Sequence, residues 1–171
     1  TRYLLVSWAR DVYKRQANEG IIKSVPTYPD AWDQIYKVAQ YKYKFSADGL
    51  KQYWSIPLDE ESREVTAFWT PLGLYRFKRL VMGTKNAATV AQNAYTQAMN
   101  SLLPAKAREH IANFADDFIG GADTREELIE LFDQFLEMCI KAGITINPKK
   151  VRFGYEDEQF YGYRLNKGRI T

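Results

Sequence analysis

The order of apolar and polar positions divides the chain into a series of short elements. From Ala31 to about Gln40, Ile35, Val38 and Ala39 give a helix one apolar side, and Asp30 stands where an N-cap belongs, with Asp33 three positions on in capping-box style. Tyr43 to Ala47 predicts a strand that delivers Asp48 at its end, with Gly49 next to it. Tyr53 to Ile56 follows and Pro57 breaks it. The charge run Asp59 to Glu64 is expected to be a solvated loop. Val65–Thr70 and Leu74–Leu80 flank Pro71-Leu72-Gly73 and predict a hairpin.

Ala87, Val90, Ala91, Ala94, Tyr95, Ala98, Met99 and Leu102 recur at helical spacing, so a helix is expected from a cap at Asn86 to Leu103, ended by Pro104. Two apolar runs, Ile111–Phe114 and Phe118–Gly121, predict a second hairpin with Asp116 and Asp117 at its turn. Thr124 to Glu127 forms a capping box for a helix with Leu128, Phe132, Phe135, Leu136, Met138 and Cys139 on its buried side, stopped at Gly143. Ile144–Ile146 and Phe160–Leu165 read as strands. The series is not a regular βαβα alternation. It predicts an α+β domain, an antiparallel sheet with helices packed on one face.

Composition narrows this little. The 171 residues are 46% hydrophobic and 26% charged, ordinary for a folded domain of this length. The net charge of +3 permits a polyanionic partner without demanding one, and 15% aromatics suit a core or stacked bases equally. One cysteine excludes an internal disulfide. With no secretory signal in view, it points to an intracellular location. No apolar run approaches the ~18 residues of a membrane span, so no membrane partner is expected.

The chemistry lies in the carboxylates. Adjacent acids at a tight turn repel unless a cation or solvent screens them. If the strand ending at Asp48 neighbours the hairpin, three carboxylates converge at one sheet edge. Hard oxygen donors favour Mg²⁺, with Mn²⁺ a substitute, and the single histidine, His110, excludes a multi-histidine site. Two such ions about 3.5–4 Å apart would activate a hydroxyl and steady a leaving oxygen in phosphoryl transfer. Strand alternation keeps Asp116 and Asp117 from facing the same way if both are extended. Asp116 is taken as the main ligand.

Five ordered stretches resemble the reverse transcriptases of gypsy-like long-terminal-repeat retrotransposons and retroviruses. They are Phe45-Ser46-Ala47-Asp48 with Tyr53 and Ile56; Gly83 with Asn86-Ala87 and Gln92; Phe114-Ala115-Asp116-Asp117; Ala142-Gly143 through Lys149-Lys150; and Phe160-Tyr161-Gly162-Tyr163. Thr66-Ala67-Phe68 and Gly73 to Phe77 resemble the strands between the first two. The resemblance implies a right-hand polymerase palm with partial fingers, acting as an RNA-directed DNA polymerase on an RNA or DNA template-primer and deoxynucleotides. It implies that Asp48 and Asp116 bind two Mg²⁺ ions, with Asp117 supporting and the Gly49 carbonyl adding a ligand. Tyr53 would lie under the sugar and exclude a 2′-hydroxyl. Gly83 and Gln92 would border nucleotide and template. Lys150 would approach the triphosphate and protonate the leaving group. Tyr161, Gly162 and Tyr163 would form the primer grip. Thumb and RNase H regions of the polyprotein would be further partners. Val81, Met82 and Ala88 depart from the family's second motif, which bears on the nucleotide pocket more than on the reaction.

Two other readings use the same residues. A non-catalytic nucleic-acid-binding palm remnant of a decayed element would keep the fold, but such a copy tends to lose Asp48, Asp116 or Asp117. A metal-dependent nuclease explains the acids but not Tyr53 or Asn147 to Lys150. At the other end of the chain, Asp11 to Gln16 resembles the translated end of a sequencing adapter. Residues 1–16 are therefore expected to be a non-native leader, and 17–171 a single fingers–palm domain.

Overall fold

The computed structural model describes residues 18, 19, 22 and 30–171. The expected leader, residues 1–16, lies outside the described residues. The chain divides into two compact units, one of residues 1–26 and 53–91, the other of residues 27–52 and 92–171.

The second unit holds the carboxylates. It begins with α1 (Ala31–Ala39), whose N-cap Asp30 accepts from the backbone N–H of Trp32 and Asp33. Its sheet has the order β4-β5-β1-β6, from β1 (Tyr43–Asp48), β4 (Ile111–Phe114), β5 (Asp117–Ala122) and β6 (Arg152–Tyr155). The β4–β5, β5–β1 and β1–β6 pairs are all antiparallel. Period-two alternation sorts the residues between two faces. Phe45, Ala47, Ile111 and Phe118 join the core formed with Tyr95 and Met99 of α4 (Ala87–Leu102) and Leu128, Phe135 and Met138 of α6 (Arg125–Ala142). Ala112 and Ile119 face the other way, against Ile35 and Val38 of α1 and against Phe160 and Leu165. The expected pair of long helices covers one face; the first helix and a C-terminal β-hairpin lie on the other.

Caps fix the ends of α6. Thr124 and Glu127 close a reciprocal capping box, and Gly143 takes the left-handed conformation at the C-terminus, φ 67°. A further helix, α5 (Ala105–His110), stands where the sequence reading passed directly from Pro104 to the hairpin. Pro104 both ends α4 and serves as the N-cap of α5, since a proline ring fits where no backbone donor is needed. Ile144–Ile146 is not a strand. Only Ile146 forms a bridge, to Gly49, because the segment returns at once into the Asn147–Lys150 turn. Phe160–Leu165 is not one strand either. It splits into β7 (Asp157–Phe160) and β8 (Tyr163–Asn166) at a turn where Tyr161 and Gly162 both have positive φ, and β9 (Arg169–Ile170) pairs with β8.

The first unit contains Tyr53, packed with Ile56 and Leu58 against Leu80, Ala87 and Ala91. The charge run expected to be a loop is a helix, α3 (Glu60–Glu64), preceded by the one-turn α2 (Gln52–Ser55). Asp59 caps α3 by accepting from Ser62 N–H at 2.8 Å, and Arg63 pairs with Glu60 one turn back. The hairpin is shorter than expected, β2 (Phe68–Thr70) with β3 (Gly73–Tyr75). Thr66 is diverted from the ladder because its hydroxyl donates to Arg63 O and accepts from Phe77 N–H. Among the described residues no helix is long and apolar enough to cross a membrane.

Candidate active site

The site grows from the end of β1. Antiparallel register sets Asp48 opposite Asp117, and alternation turns both to the face of Ser46 and Ile119, away from the Phe45–Phe118 core. The hairpin turn comprises Ala115 and Asp116, one residue earlier than the sequence reading placed it, so Asp117 is the first residue of β5. Ala115 has φ 52°, and a positive φ at the first central residue is what such a tight turn demands. Asp116 is therefore at the tip and Asp117 in the ladder, which gives the two acids different directions.

Lys150 Nζ donates to Asp48 Oδ1 at 2.9 Å. Its backbone N–H donates to Asn147 O, and Asn147 N–H donates to Asp48 O at 2.8 Å, so the turn bearing Lys150 is anchored to the strand bearing Asp48. The Asp48 side chain is 18% exposed and that of Lys150 61%, which makes Lys150 the movable partner. A shallow cavity of about 180 Å³ lies over this point, lined by Asp48, Asp117, Lys150, Gln159 and Phe160 among others. Partial desolvation raises the pKa of Asp117, and repulsion from Asp116 and Asp48 adds to it. The hydrogen bond to Asp48 raises that of Lys150, with Asp116 and Asp117 contributing at longer range.

The donors are carboxylate and backbone oxygens only, which fits a hard divalent cation and excludes a thiolate or imidazole site. Among the described residues no three His, Cys, Asp or Glu side chains are gathered closely enough to make a finished cage. The donor chemistry fits such a cation.

Buried amides that the apolar and charge pattern does not mark hold the turn. Gln92 is 1% exposed. Its Oε1 accepts from Ala115 N–H at 2.8 Å, and its Nε2 donates to Asn113 Oδ1 at 2.8 Å. Asn113 in turn donates to Ala115 O and Asp117 O. Gln52 Nε2 donates to Ala115 O at 3.0 Å, and Gly49 N–H to Asp116 O at 2.7 Å. Gln92, expected to border the template, thus reaches the turn from the buried side. Gly49 touches the turn through its N–H.

Other expected residues fall elsewhere. Gly83 belongs to the first unit, with φ 93°, and its carbonyl accepts from Asn18. Tyr161 is exposed and sets its ring edge-on to Phe114 at 4.1 Å. Tyr163 packs against Trp32 at 5.1 Å, and Gly162 supplies the turn between them.

The profile of the family described as reverse transcriptase (RNA-dependent DNA polymerase) matches residues 7–165. This chain belongs to that family. It is 26% identical over 157 residues to the retrovirus-related Pol polyprotein from transposon 412 of Drosophila melanogaster, covering 92% of this chain and 12% of that polyprotein. It is 26% identical over 141 residues to the enzymatic polyprotein of Cauliflower mosaic virus (strain D/H), covering 82% of the chain and 20% of the relative. The reverse transcriptase chain thus spans a fifth or less of the length of these relatives.

Solved structures share the fold. The foamy viral protease-reverse transcriptase in complex with an RNA/DNA hybrid matches with a TM-score of 0.76 at 18% identity, over 91% of this chain and 20% of that one. A form of it in complex with double-stranded DNA matches at 0.78 and 18% identity, over 92% and 27%. The fold is therefore that of a reverse transcriptase palm with part of the fingers.

Proposed function

We propose that this chain is the fingers–palm part of a retroelement polyprotein that extends a primer with deoxynucleotides on an RNA template. The observation that carries the reading is the register pair Asp48–Asp117 at a sheet end, with Asp116 at the adjoining turn and Lys150 on Asp48, in a chain of the reverse transcriptase family. Two Mg²⁺ ions, replaceable by Mn²⁺, would supply activation of the primer 3′-hydroxyl and neutralisation of charge on the phosphates. Asp48 and Asp116 would hold them. Asp117 would support from its place in the ladder opposite Asp48. The Gly49 carbonyl is a further candidate ligand.

Lys150 is long, exposed and cationic, so it can leave Asp48 for a triphosphate and give a proton to the departing pyrophosphate. Tyr53 would select against a 2′-hydroxyl, and Gly83 would border the nucleotide. Tyr161, Gly162 and Tyr163 would place a primer end, with the exposed ring of Tyr161 at the hairpin turn and Tyr163 half-buried beside Trp32. The template-primer, the deoxynucleotides and the thumb and RNase H regions would be the partners.

Primer extension on an RNA template by the parent-length protein tests this. Asp48→Asn and Asp116→Asn should each reduce extension by at least about 10³-fold, as loss of a catalytic metal ligand does. Extension that survives either change would defeat the reading.

A further inference from the structure

The turn between Ala115 and Asp116 is held by buried amides that no charge or apolar pattern announces. Gln52, Gln92 and Asn113 are 5%, 1% and 3% exposed. Together they satisfy Ala115 N–H, Ala115 C=O and Asp117 C=O. Each backbone group in that list is a place where the turn could otherwise pivot. Ala115 also keeps a positive φ, a strained conformation for an alanine that persists only when its surroundings enforce it.

Gln52 has a particular place in this set. It lies four residues beyond Asp48, on the segment whose Gly49 N–H donates to Asp116 O and whose Leu50 N–H donates to Thr145 O. Through Gln52 the strand end carrying Asp48 is tied to the turn that carries Asp116 and leads into Asp117. The tie is side chain to backbone, so it fixes the height of the turn without taking up a carboxylate oxygen.

We propose that Gln52, acting with Gln92 and Asn113, is a positioning residue that holds the Ala115–Asp116 turn where Asp116 and Asp117 can share divalent cations with Asp48. The proposal rests on the metal-binding reading of the three acids. It assigns Gln52 no contact with metal or substrate. It also gives Gln92 a role from beneath the turn.

The test is Mn²⁺ binding to the chain, read by electron paramagnetic resonance of the free ion. Folding is followed in parallel by circular dichroism and urea denaturation. Gln52→Met keeps the length and packing of the side chain and removes its donor. It should keep the native dichroism spectrum and bind Mn²⁺ about tenfold more weakly, the scale seen when an outer-shell partner of a metal site is lost. Gln92→Met should do the same. Gln52→Asn, with its donor one carbon short, should fall between wild type and Gln52→Met, and replaces it if the latter does not fold. Gln134→Met removes a half-buried amide on α6 that donates to Glu130, and should bind as wild type does.

Wild-type affinity in folded Gln52→Met or Gln52→Asn, with Asp48→Asn binding weakened, overturns the positioning role and leaves the metal site standing. Absence of Mn²⁺ binding in wild type overturns both. Equal weakening in Gln134→Met shows a general stability effect and overturns the specific role.

Discussion

Phe45 and Gly120 face each other across β1 and β5, and the phenyl ring fills the space a side chain at Gly120 would need. A β-carbon on Gly120 would lie 2.5 Å from Phe45 Cζ and closer still to Cε1. Phe45 also touches Phe132 and Phe135, at centroid distances of 4.9 and 5.3 Å, so the ring has little room to retreat. The glycine after Ile119 is thus a packing requirement of the sheet that carries Asp48 and Asp117.

Gly120→Ala should therefore destabilise the chain by about 1–3 kcal/mol, the usual cost of overpacking a filled core. Urea denaturation measures it. Adding Phe45→Leu should recover part of the loss, because the smaller side chain opens the same space. A double variant that is simply the sum of the two singles would remove the steric explanation.

Much of this architecture is legible in local sequence because its determinants are local. Asp30, Thr124 with Glu127, and Gly143 mark helix ends through bonds within one turn, and each is found where expected. The hairpin around Asp116 follows from two apolar runs, though Ala115, not Asp117, shares the turn with Asp116, since apolar runs do not fix which residue takes a positive φ. The helix at Glu60–Glu64 was obscured because its residues are all polar or charged and its stabilisation comes from Asp59 and Arg63. The amides of Gln52, Gln92 and Asn113 leave no periodic trace. Their partners lie 63, 23 and 2 residues away, and only folding brings the first two together.

The capping box of α6 gives a clean stability measurement. Thr124 Oγ1 accepts from Glu127 N–H at 3.2 Å, and Glu127 Oε2 accepts from Thr124 N–H at 3.3 Å. Thr124→Ala should cost about 1 kcal/mol in urea denaturation. Thr124→Ser keeps an acceptor oxygen and should cost much less. Equal losses would show that the methyl group, not the cap, matters.

Cys139 offers a probe of opening. It is buried on α6, and desolvation pushes its thiol pKa up to about 12. At mildly alkaline pH almost none of it is thiolate, and the reactive species is the thiolate. Disulfide reagents such as Ellman's reagent should leave the native chain unlabelled and label one thiol fully in urea. Fast labelling without denaturant would mean that α6 detaches from the sheet far more readily than its packing implies.

The β7–β8 hairpin gives a pH dependence of known sign. Arg164 Nε lies 2.9 and 2.6 Å from the two Asp157 carboxylate oxygens. This hydrogen bonding and the charge of Arg164 hold the Asp157 pKa below its ordinary value of 3.8. A carboxylate with a lower pKa folded than unfolded stabilises the fold above the unfolded value, and that contribution fades as pH falls through the folded value. Asp157→Asn should therefore be less stable than wild type at neutral pH, and the gap should close once pH drops below the carboxylate range. The Arg164 side chain is 71% exposed, so added salt should narrow the gap at neutral pH as well. Urea denaturation of both proteins at neutral and acid pH, in low and high salt, measures this. A gap that widens toward acid would show that the pair does not stabilise the hairpin.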